Sequence, residues 1–147
     1  MKTLAIALLC ASGLALAHAA PDADQPPTAR DLHAAECVAA LDVNTQALAK
    51  QVRAGKEAAR ALLLDRLVAG TAFVGDTWLH GNSDEKQARA LANEALEAQK
   101  RLPPAELTAR QVACTAEGRQ LYDDSNGLEK VVVKRLAKKR MEKLLNG

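Results

Sequence analysis

The chain has 147 residues, with 20 Lys or Arg against 18 Asp or Glu for a net charge of +2, and one each of Trp, Tyr and Phe. That length supports one domain with one modest core. Aromatics are too few to interleave with the basic residues as a base-stacking platform, and beyond the first twenty residues no apolar segment reaches membrane length, which argues against nucleic-acid binding and an integral membrane span.

The N-terminus reads MKTLAIALLCASGLALAHAA. Lys2 is a short positive region, Leu4 to Leu16 form an apolar run too short to span a bilayer comfortably, and Ala17-His18-Ala19 supplies a small-x-small cleavage pattern. Residues 1–19 therefore read as a secretory signal peptide cut after Ala19. Cys10 follows the bulky Leu9, where lipidation requires a small residue, so it is expected to leave with the signal. The alanine-rich signal has a bacterial character, and the expected destination is the periplasm, as a soluble protein. Cys37 and Cys114 then remain, and an even count in an oxidising compartment reads as a disulfide.

Residues 20–29, APDADQPPTA, are polar and proline-bearing and read as a disordered leader, with one helical-bundle domain over 30–147. The first helix is expected over 30–54, its inner stripe Ala34, Cys37, Leu41, Leu48 and Val52, closed by Gly55. The second, over 56–80, carries Leu63, Leu67, Thr71, Val74 and Trp78. Gly81 then suits a C-terminal cap, with Asn82 as the next N-cap and Glu85 in the reciprocal position. A third helix over 83–101 turns Ala88, Leu91, Ala95, Ala98 and Leu102 inward. Pro103-Pro104 breaks the chain and starts a fourth helix with Leu107, Gln111, Cys114, Gly118, Leu121, Ser125 and Leu128 on its inner face. DDSNG at 123–127 predicts a kink or break before a last segment, 128–145.

The fold class that follows is all-α: an antiparallel bundle of about four helices plus a basic C-terminal segment. At 1.5 Å per residue, Cys37 lies roughly 10 Å up the first helix and Cys114 at a height of roughly 15 Å on the fourth. Modest shifts bring such thiols into bonding range, and the bridge would staple a core built largely from alanine.

Three constellations invite chemistry. His33, Glu36 and Cys37 share a helix face at ligand-like spacing and, with Cys114, would complete four metal ligands. A disulfide consumes both thiolates, so the expectation is no metal, and the chain has no C-x-x-C-H for haem attachment. In GDTWLHG at 75–81, Asp76 and His80 stand four residues apart with Trp78 between them. An enzyme using Asp76 and His80 needs a nucleophile in a strand–turn–helix setting, and none is recognisable. Trp78 and Phe73 read instead as core fillers, with His80 at a helix C-terminus where positive charge is favoured. Neither catalytic residues nor a cofactor are expected.

The C-terminal segment is the strongest charge feature, with seven Lys or Arg against two Glu between Glu129 and Lys143. Such a helix either packs on its own acidic domain or meets an acidic protein or anionic surface. The first alternative requires Val131 to Val133 and Leu136 to be buried. Lys134, Lys138 and Lys139, with Asp76, Trp78 and His80, are the candidate partner-binding residues.

LTARQ at 107–111 resembles, through Leu107, Thr108 and Gln111, the L-T-x-x-Q motif of the Spy/CpxP family of periplasmic helical chaperones and stress modulators. The resemblance implies an exported all-helical body that binds other proteins. From the residues themselves, the leading expectation is a non-enzymatic protein acting by protein–protein contact, such as an inhibitor or immunity-type protein against an exported toxin or hydrolase. A chaperone or stress modulator of the Spy/CpxP kind is the alternative.

Overall fold

A computed structural model describes residues 26–81 and 84–147; the expected signal peptide, residues 20–25 of the expected leader, the expected N-cap Asn82 and Ser83 lie outside them. The described residues form six helices and no strand: α1 Ala29–Asp42, α2 Thr45–Arg53, α3 Glu57–His80, α4 Glu85–Lys100, α5 Pro104–Asp124 and α6 Gly127–Asn146. The fold is all-α and disulfide-linked, as the sequence predicts.

Local chemistry sets most boundaries. Thr28 and Asp31 form a capping box at the start of α1: the Thr28 hydroxyl accepts from the Asp31 N–H, and the Thr28 N–H donates to the Asp31 carboxylate. The end of the expected leader is thus the cap and first residue of a helix. Gly55, at φ 81°, ends α2 in a conformation that other residues resist. Pro104 opens α5, and the break at 125–126 separates α5 from α6, whose own capping box joins Asn126 and Glu129.

Two expectations at helix ends change. The helix expected over 30–54 is two helices, broken at Val43 and Asn44, with Asn44 left-handed at φ 71°. Asparagine tolerates that conformation better than most side chains, and the turn redirects α2 toward α6. The α4 cap is Asp84, whose carboxylate accepts from the Gln87 N–H; Glu85 pairs with Arg89 on the outer face.

The core has two parts. One joins Leu48, Ala49 and Val52 of α2, Ala59, Leu63 and Leu67 of α3, and Ala137 and Met141 of α6. The other surrounds the Cys37–Cys114 bridge with Ala34, Leu41, Ala69 and Phe73. α3 runs through both, α5 lies along α1 and α3, and α4 packs against α1 at the periphery.

The apolar pattern misassigned several side chains. Trp78, expected in the core, is 84% exposed, and Val74 is exposed one turn before it. Phe73 is the last α3 side chain to reach the core; beyond it the end of α3 meets the start of α1 on one side and faces α4 across a gap. On α4, Gln99 is buried where Ala98 was expected. On α6, Val133, Ala137 and Met141 point inward at four-residue spacing, which leaves Val131, Val132 and Leu136 outside. A helix cannot turn three consecutive valines to one face. Leu128 is exposed because the break before α6 resets the register inherited from α5.

Candidate functional site

A concavity of about 690 Å³ lies between α3, α5 and α6, and a more apolar one is the gap beside α4. It is a groove of about 550 Å³ between the first half of α1, the end of α3 and the first half of α4. Val38, Val74, Trp78 and Leu91 line it with four alanines, while Asp31, Gly81, Asp84 and Glu85 close one end. The alanines of α1 and α4 let these two helices pack closely, whereas the end of α3 stands off from α4, which is why the groove exists. Trp78 stands at its wall with most of the indole in solvent, and Leu79 is exposed next to it.

Asp76 and His80 do not line this groove. His80 Nδ1 lies 3.0 Å from Asp76 Oδ1, the same oxygen that Arg30 approaches at 3.5 Å. The three side chains clip the start of α1 to the end of α3. No hydroxyl or thiol is hydrogen-bonded to His80 among the described residues.

A second cluster sits over the disulfide. His33 Nε2 lies 2.9 Å from both Glu117 carboxylate oxygens and 3.9 Å from Cys37 Sγ. His33, Cys37 and Glu117 present ligand atoms within 4.8 Å of one another. Glu36, the carboxylate that spacing along one helix suggested, is exposed and outside the cluster. Its place is taken by Glu117, three residues after Cys114 on α5, a pairing visible only once the two helices are aligned by the bridge.

The basic face belongs to α6. Lys134 Nζ stands 5.6 Å from the Tyr122 ring centroid and Lys130 Nζ at 6.0 Å, within reach of cation–π attraction. Lys138 and Lys139 are exposed and make no ion pair among the described residues. Arg140 pairs with Asp42, and Arg53 donates to the Leu144 carbonyl, so polar contacts also tie α6 to the bundle.

Of the L-T-x-x-Q residues, Leu107 and Gln111 are buried and Thr108 is exposed. The Gln111 amide donates to the Ala40 and Val43 carbonyls at the end of α1, and its oxygen accepts from Arg66. Burial lowers the Arg66 pKa from its ordinary value. On the outer face of α4, a hydrogen bond from Lys100 lowers that of Glu97. Among the described residues no helix is long and apolar enough to cross a membrane. No protein-family model, no curated protein and no solved structure matches the chain.

Proposed function

We propose that this is a small exported, non-enzymatic protein of the bacterial periplasm that acts by contact, holding an apolar segment of another polypeptide in the groove between α1, α3 and α4. The observation that carries the reading is Trp78: a large apolar side chain left in solvent against an apolar groove. A monomer gains nothing in stability from such an arrangement, whereas aromatic side chains next to apolar pockets dominate binding at protein interfaces. An inhibitor or immunity-type protein uses such a surface against one folded partner. The open, concave and apolar shape also favours the alternative, a chaperone or stress modulator that accepts apolar segments of many clients. The separation of Asp76 and His80 from the groove supports contact rather than catalysis.

Trp78 is the only tryptophan in the chain, so its fluorescence reports on the groove directly. Binding of a polypeptide captured from periplasmic extract should shift its emission to the blue. Trp78→Ala should leave the melting temperature nearly unchanged, because the side chain is exposed, and weaken capture at least about tenfold. One partner at one-to-one stoichiometry identifies the inhibitor, and a range of unfolded clients the chaperone. Capture that is indifferent to Trp78→Ala would overturn the reading.

A further inference from the structure

We propose that opening the Cys37–Cys114 disulfide converts the end of the α1–α5 interface into a tetrahedral Zn²⁺ site, with Cys37, Cys114, His33 and Glu117 as ligands. The site is separate from the groove and does not rest on it.

The four side chains come in two pairs from two helices that the fold already holds together. His33 and Cys37 are one turn apart on α1, and Cys114 and Glu117 are one turn apart on α5. The Cα atoms of the two cysteines are 5.3 Å apart. Zn²⁺ binds thiolate at about 2.3 Å and imidazole nitrogen or carboxylate oxygen at about 2.0–2.2 Å, so tetrahedral ligand atoms stand roughly 3.3–3.8 Å from one another. The observed separations bracket that range, with His33 Nε2 at 2.9 Å from Glu117 and 3.9 Å from Cys37 Sγ. Cys114 Sγ lies outside that three-residue cluster but is bonded to Cys37 Sγ, so parting the two sulfurs leaves the fourth ligand free to turn toward the ion.

Burial is graded in the same sense. Both cysteines are buried, whereas the His33 and Glu117 side chains are 52% and 47% exposed, so a metal ion can enter from the solvent side over the imidazole and carboxylate. Two thiolates with imidazole and carboxylate select Zn²⁺ over Mg²⁺ or Ca²⁺, which prefer all-oxygen shells. While the disulfide stands, both sulfurs are committed to each other and the four-ligand set does not exist. A dithiol reductant opens it by transferring two electrons and two protons, becoming a disulfide itself and leaving the Cys37 and Cys114 thiols. Zn²⁺ then binds the two thiolates and releases those two protons. The metal thereby replaces the covalent staple between α1 and α5, so that the fold keeps a cross-link there in either redox state.

The test uses the secreted chain, oxidised and reduced, with zinc chloride titrated against a chromophoric chelator and cobalt chloride as a spectroscopic probe. The reduced chain should bind one Zn²⁺ at least about 100-fold more tightly than the oxidised chain, and give the intense visible bands of tetrahedral thiolate-bound cobalt. His33→Ala and Glu117→Ala should each cost at least about 100-fold, more than the loss of an outer-sphere partner. Glu36→Gln should cost nothing. Circular dichroism is followed in parallel: where reduction unfolds the chain, zinc should restore the helix in the wild type and not in His33→Ala/Glu117→Ala. Equal zinc affinity in the oxidised and reduced chains, or zinc binding that ignores both substitutions, would overturn the proposal.

Discussion

Gly118 and Gln111 sit on the inner face of α5 for reasons that no stripe of apolar residues conveys. A Cβ on Gly118 would stand 2.7 Å from both the carbonyl oxygen and the Cβ of Ala69, so α3 and α5 meet backbone to backbone there. Helix propensity alone favours Gly118→Ala by about 1 kcal/mol. The clash is with backbone, which a rotamer change cannot relieve, and overpacking of that kind costs about 1–3 kcal/mol. The substitution should therefore lower the melting temperature; a rise would contradict the close approach. Gln111 satisfies Arg66 and the two carbonyls left by the α1–α2 break. Gln111→Leu keeps the volume but leaves these groups unpaired, at a cost of about 1–3 kcal/mol by urea denaturation. Adding Arg66→Met should recover part of that loss, since it removes the half-buried charge. The sequence placed both residues on the correct face, because spacing gives the face. It could not say what they touch.

α6 is the element whose role the sequence left open. Ala137 and Met141 join the core cluster of α2 and α3 and Val133 is buried too, so α6 packs on the bundle. Val131, Val132 and Leu136, whose burial the packed alternative required, nevertheless stay exposed. Deleting residues 128–147 should lower the melting temperature of the whole domain or unfold it; a truncated chain that melts like the wild type would show that α6 is dispensable. Lys134→Glu, Lys138→Glu and Lys139→Glu together should leave capture in the groove nearly unchanged at physiological ionic strength, where these exposed charges are screened beyond roughly 8–10 Å. Any loss of thermal stability from the triple change should come through Lys134, which stands over Tyr122. Element boundaries were legible to within a residue or two wherever a cap, a proline or a glycine marks them. The α1–α2 break was not, because Asn44 sits within an uninterrupted helical pattern and its left-handed turn is held from outside by Gln111 of α5.

At the scale of the molecule, the bridge joins residues separated by 77 positions. In the chain-entropy picture such a loop carries a stabilising ceiling of about 4.5 kcal/mol. The core cluster around it includes few large side chains besides Leu41 and Phe73, so this contribution is a large share of a stability that for any small domain is only about 5–15 kcal/mol. Cys37→Ala/Cys114→Ala should melt several degrees or more below the wild type while retaining helical circular dichroism in the cold. The α2–α3–α6 cluster does not contain the bridge, and it should be the part that persists longest.

Much of this architecture is written locally. Alanine-rich helical periodicity, capping residues, Pro104 and the paired cysteines determine an all-α chain, most of its helix ends and the Cys37–Cys114 bridge, since each depends on residues within a turn or two or on simple counting. Which apolar residues stay outside is a different matter. Trp78, Val131, Val132 and Leu136 carry side chains as apolar as any in the core, and their exposure follows from which face of each helix its neighbours cover. The groove is likewise a property of how far α4, packed on α1, stands from α3, and the His33–Glu117 pair of how α5 lies along α1. Periodicity selects the face of a single helix; only the packing of several helices decides whether another surface meets it.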